Sequence, residues 1–131
     1  MLGEHHSEKM PESMRRGIET LRVKFVDEMD SRILSIEAAV ADIRNYETCT
    51  EAASAIAIAA HNLAGLAPSL GFEEIGTVAA ETEQLWEKVR ENALLRQCSE
   101  SERQPALAKV EALLDLLEKT LEEEPFALCA S

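Results

Sequence analysis

The sequence predicts an all-α fold, an antiparallel four-helix bundle with a short N-terminal extension. Three observations carry that expectation. Apolar residues recur at gaps of three and four through most of the 131 residues. Glycine (5) and proline (4) are few and aromatics make up only 4%, which is not the strand- and turn-rich composition of a sandwich or barrel. Hydrophobic residues reach 46%, enough in one domain of this length to build a single core. The expected layout is a polar tail or lead-in helix over 1–15, the bundle over 16–122 and a C-terminal tail over 123–131.

The lead-in, residues 1–14, is polar and interrupted by Pro11. The first stripe follows, with Ile18, Leu21, Phe25, Met29, Ile33, Ile36, Val40 and Ile43 at helical spacing up to Asn45. That length invites a break. Thr48 or Thr50 could cap the second helix, Glu51 to Leu70, which has one charge at its start and none afterwards. Pro68 and Gly71 mark its end. Glu73 and Glu74 suit the N-terminus of a third helix running to Leu95, with Ile75, Val78, Thr82, Leu85, Trp86 and Val89 on its stripe. Trp86 at that spacing reads as core. Residues 97–104 read as a polar loop. Ser99 or Ser101 would cap the fourth helix, with Pro105 in its first turns and Leu107, Val110, Leu113, Leu114, Leu117 and Leu121 on its stripe.

Charge and cysteine usage narrow the function classes. The chain carries 25 acids against 13 bases, a net charge of −12. Such a surface repels nucleic acid and anionic lipid. Cys49, Cys98 and Cys129 are odd in number and have no CxxC spacing, so neither a disulfide framework nor a structural zinc site is expected. No metal site is expected; the pair His5–His6 is read as part of the tail. No transmembrane run and no signal-peptide core are read from the sequence. The expectation is a cytoplasmic monomer.

The second helix holds the informative face. On a wheel of about 100° per residue, Ile56, Leu63, Ala67 and Leu70 gather on one side, and His61 lies roughly 140–160° from Ile56 and Leu63. Its outer neighbours are Ser54, Ala57, Ile58, Ala64, Gly65 and Pro68. None is charged, whereas a solvated helix face carries Lys, Glu or Gln. Either the helix is buried on all sides with His61 a satisfied core histidine, or this face docks a partner. Gly65, one turn after His61, costs about 1 kcal/mol relative to alanine and removes bulk beside the imidazole.

The run from His61 through Leu63, Gly65 and Pro68 to Gly71 and Phe72 resembles the phospho-acceptor motif of histidine phosphotransfer (HPt) domains. His61, Leu63, Gly65 and Gly71 fit that pattern. Residues 73–83 resemble the next helix of the family, and Phe25 to Val40 its lead helix. The resemblance covers roughly 16–122. It departs at Ala64, where the family commonly has lysine, at Leu66 and at Pro68.

The resemblance implies a four-helix bundle of HPt type with His61 as phospho-acceptor. It implies Gly65 as clearance for a partner, and Ala57, Ile58, Ala64 and Pro68 as an apolar docking rim. An imidazole with an ordinary pKa near ~6.5 is a competent nucleophile at neutral pH, and phosphoryl transfer asks mainly for positioning and charge stabilisation. The implied partners are response-regulator receiver domains, a hybrid histidine kinase, or both. A receiver would bring the phospho-aspartate and its Mg²⁺, and this chain would bind no cofactor. On this reading the protein is a phosphocarrier rather than an autonomous enzyme. The alternative is a phosphate-independent scaffold using the same face, or a dimerising adaptor. A di-iron bundle enzyme needs Glu three residues before a histidine, and Leu2, Gly3 and Ile58 occupy those positions.

Overall fold

The computed structural model describes residues 11–45, 49–94 and 100–124. They form α1 (Glu12–Asp27), α2 (Met29–Asn45), α3 (Cys49–Leu66), α4 (Glu73–Leu94) and α5 (Glu100–Glu123), with a 3-10 turn over Pro68–Leu70. No strand occurs among the described residues. Helices α2 to α5 make the bundle: α3 packs on α2 and α4, and α5 closes it against α4 and α2. Met29, Ile36, Ile43, Ile56, Leu63, Trp86, Leu113 and Leu117 are among the side chains in the shared core.

The long first stripe is two helices. The chain turns at Glu28 (φ −88°, ψ 0°), whose N–H still donates to the Lys24 carbonyl at 3.0 Å. Helix α1 starts at Glu12, directly after Pro11, so residues 12–15, within the stretch expected as a tail or lead-in helix, are helical. Only its last turns enter the core, through Phe25 and Val26. Leu21, expected on the buried stripe, is 53% exposed because the preceding turns of α1 pass beyond the bundle's cover. Helix α1 is held at the 3-10 turn. There Phe25 stacks on Phe72 at 5.4 Å, and the Arg22 guanidinium lies 4.5 Å over the Phe72 ring and bonds Glu124 at 2.5 Å.

Other boundaries moved for local reasons. Thr50 lies inside α3 rather than at its cap, and α3 stops at Leu66, four residues before the expected end, because Pro68 brings no N–H. Helix α5 begins at Glu100, so Ser101 is helical and Pro105 sits in its second turn. Trp86 is fully buried and its Nε1–H donates to the Ala106 carbonyl at 3.0 Å, which satisfies the indole and ties α4 to α5. Against the sequence expectation, Thr50–Leu70 is long and apolar enough to cross a membrane. Here that segment is the central helix and turn of the bundle, with Ile56, Leu63, Ala67 and Leu70 in the core. His5, His6, Thr48, Cys98, Ser99 and Cys129 lie outside the described residues.

Candidate functional site

Helix α3 is flanked on two sides, which leaves one strip to solvent. Ala55, Ile58, His61, Asn62 and Gly65 are exposed along it, Ala64 is half-buried, and Pro68 is exposed just beyond. The spacing is that of a helix face. Ile58 is 61% exposed, unusual for so large an apolar side chain in a chain with this much charge. Ala57 does not belong to the strip. It was expected on the docking rim and is 1% exposed. A bare wheel allows half the helix circumference to solvent, whereas α2 and α4 both pack on α3 and leave a narrower strip exposed, and the small Ala57 falls under that cover.

His61 stands at the edge of the strip nearest α4. Its side chain is 71% exposed, which rules out the core-histidine reading. Its Nδ1 lies 2.8 Å from a carboxylate oxygen of Glu83, itself 29% exposed. A carboxylate accepts, so Nδ1 carries the proton and donates. The lone pair of the neutral ring is then on Nε2, the nitrogen without a hydrogen bond to the described residues. One hydrogen bond therefore fixes both the tautomer and the ring orientation, and presents the nucleophilic nitrogen to solvent.

The turn after α3 is what brings Glu83 to His61. Gly71 adopts φ +92°, a conformation that favours glycine. Around it the Gly71 N–H donates to the Pro68 carbonyl at 3.1 Å and the Phe72 N–H to the Ala67 carbonyl at 2.9 Å. The chain reverses, and α4 returns antiparallel along α3. Gly76 then passes directly over Pro68: a Cβ built on Gly76 would sit 2.3 Å from Pro68 Cγ. Seven residues further along α4 is Glu83, and seven residues back from Pro68 is His61. The glycine–proline contact and the histidine–glutamate bond thus belong to one antiparallel register.

Sequence reasoning missed Glu83 and Gly76. A signal for Glu83 existed, since His61 and Glu83 are equidistant from Phe72, the centre of the predicted hairpin. The departure from the motif at Pro68 has a structural reason as well. Pro68 opens the 3-10 turn, where no helical N–H is required, and fills the space that Gly76 leaves.

Gly65 differs from Gly76. A Cβ there would meet nothing within 4 Å, so no contact among the described residues requires a glycine at this exposed position. Beside the strip, α2 and α3 enclose an open groove of about 560 Å³, with Ser31, Arg32, Ser35, Ile58 and Asn62 in its walls. Among the described residues, no group of three or more His, Cys, Asp or Glu could hold a metal ion. The exposed imidazole, oriented by a carboxylate on a surface of small and apolar residues, can act as a nucleophile toward a group delivered by a partner.

The family model described as Hpt domain matches residues 20–123, most of the chain. Neither a curated protein nor a solved structure matched.

Proposed function

Because the chain belongs to the Hpt domain family, whose members have phosphotransfer roles in phosphorelays, we propose that it is a histidine-containing phosphocarrier with His61 as its acceptor. The observation that carries this reading is the 71% exposed imidazole held through Nδ1 by Glu83. In the forward step the Nε2 lone pair forms a bond to phosphorus, and the O–P bond of a receiver's aspartyl phosphate breaks. The aspartate leaves as carboxylate. The Nδ1 proton stays on the ring, which becomes a cation stabilised by the Glu83 carboxylate it faces. The reverse step passes the group to a second receiver aspartate.

Partners in this reading are receiver domains, a hybrid histidine kinase, or both, in the cytoplasm. Mg²⁺ belongs to the receiver; this chain supplies the nucleophile and the surface. Ile58 and the small residues along the strip give an apolar contact, and Gly65 lets the partner's backbone approach the imidazole. The protein acts as a monomeric intermediate, not as an autonomous enzyme.

The test is transfer from a panel of phosphorylated receivers to the wild type and to His61→Gln. An acid-labile, alkali-stable label on the wild type and none on the variant is the expected result. Receiver binding without label from any competent donor would instead support a phosphate-independent scaffold. Neither label nor binding would overturn the phosphorelay reading.

A further inference from the structure

Between Arg44 and Lys88 the chain contains no lysine and no arginine, yet it has glutamates on both helices that frame His61. The cations on the helices of the bundle that have described partners are engaged elsewhere or sit among acids. Arg32 shares the α2–α3 groove with Asn62, but its guanidinium lies 5.3 Å over the Phe25 ring. Lys88 shares a shallow surface with Glu83, Glu87 and Glu91. Arg90 pairs with Glu87 at 2.7 Å, Lys109 with Glu81 at 3.3 Å and Arg44 with Glu111 at 2.9 Å. The one side chain hydrogen-bonded to His61 among the described residues is an acid.

Resting on the reading of His61 as acceptor, we propose that no cation among the described residues stabilises the phosphoryl group, so that the phosphorylated protein holds it weakly and the docked partner supplies the positive charge. A phosphoryl group brings close to two negative charges at neutral pH. On Nε2 it stands across the ring from the Glu83 carboxylate, on the cation-free stretch of α3. The surface fits a partner with an apolar centre for Ile58, ringed by basic side chains. With such a partner absent, the group has water as its acceptor. The Nε2–P bond breaks, its electrons return to the ring nitrogen, and a water oxygen bonds phosphorus to give inorganic phosphate. The transition state of that step is loose and carries less charge on the phosphoryl oxygens than the bound dianion. A cation touching the group therefore slows its loss, and the described residues place none there.

The experiment installs the missing cation. Side chains on a helix lean toward its N-terminus, so a lysine at position 64 or 65, one turn after His61, extends toward the imidazole. Ala64→Lys is the first variant. Gly65→Lys, at an exposed position with nothing within 4 Å, is the second, in case the half-buried Ala64 does not tolerate the change. The protein is labelled with phosphoramidate, a partner-free donor whose P–N bond breaks to release ammonia as the Nε2–P bond forms. The donor is removed and the half-life of the label is followed by intact mass. The expected result is a half-life about three- to fivefold longer in either lysine variant, the size of one screened ion pair, and unchanged in Arg32→Gln and Lys88→Gln. A labelled wild type whose half-life neither lysine variant extends would overturn the inference and leave the acceptor reading intact. So would a shorter half-life in Arg32→Gln or Lys88→Gln. A wild type that takes no label on His61 from phosphoramidate or any receiver would overturn the acceptor reading, and the inference with it.

Discussion

Replacing Gly76 by alanine perturbs the register that places Glu83 beside His61. The added Cβ would lie 2.3 Å from Pro68 Cγ and 2.9 Å from Cδ. Ordinary contact begins near 3.4 Å, so the two elements must separate by about 1 Å. The proline ring cannot rotate away, because it is closed onto the backbone of a turn pinned by hydrogen bonds from Leu70 and Gly71. A clash this close with a closed ring falls in the upper part of the usual overpacking cost, about 2–3 kcal/mol, and alanine's better helix propensity returns roughly 1 kcal/mol. The net expectation is a loss of ~1–2 kcal/mol, or about 3–8 °C in Tm for a chain of this size. Urea and thermal unfolding followed by circular dichroism would measure it. Gly65→Ala is the matched control: with nothing within 4 Å of its Cβ, it should stabilise by ~0.5–1 kcal/mol. Pro68→Ala removes both clashing ring atoms, so the double variant should lose less than the two single losses added together. Imidazole nitrogen shifts would report the site directly, since a displaced α4 releases the Nδ1–H tautomer. Two results would refute the reasoning: a Gly76→Ala protein as stable as the wild type, or a cost that Pro68→Ala does not reduce.

Three further expectations rest on other contacts. Ile58→Glu, at a 61% exposed position, should leave stability within about 0.5 kcal/mol while lowering transfer from receivers at least roughly tenfold through loss of apolar contact. Phosphoramidate labelling should be unaffected, and unchanged receiver transfer would place docking elsewhere. Trp86→Phe keeps most of the ring volume but removes the donor to the Ala106 carbonyl, and should cost about 1–3 kcal/mol by denaturant unfolding. Arg22→Ala removes both the stack on Phe72 and the pair with Glu124. It should lower stability by about 1 kcal/mol, with a smaller difference in high salt, as the first sign of α1 loosening from the bundle end.

Much of the fold was legible because its signals are local. Gaps of three and four identify Ile33, Ile36, Val40 and Ile43 as one buried face whatever they pack against, and all four are buried. Gly71 announces a reversal because few other residues accept its φ of +92°. The helix boundaries were less legible. Glu51 to Leu70 reads as one helix in sequence, but α3 stops at Leu66 because Pro68 brings no N–H to continue it. Leu21 reads as core because its spacing is helical, and spacing says nothing of whether a neighbour reaches it.

For the site, local pattern alone picks out the candidate residue and its orientation on the helix. His61, Ile58 and Gly65 fall opposite Ile56 and Leu63 by the geometry of an α-helix alone, and the absence of charge on that face is a property of composition. Tertiary structure decided the rest. Whether Ala57 is surface or core depends on how far α2 and α4 wrap around α3. Which nitrogen of His61 faces solvent depends on a carboxylate 22 residues away. That carboxylate arrives only because Gly76 and Pro68 set the register between two helices. Periodicity reports which side of a helix is apolar; the neighbours of a helix, and hence the tautomer of a histidine upon it, follow from packing between segments that no local pattern encodes.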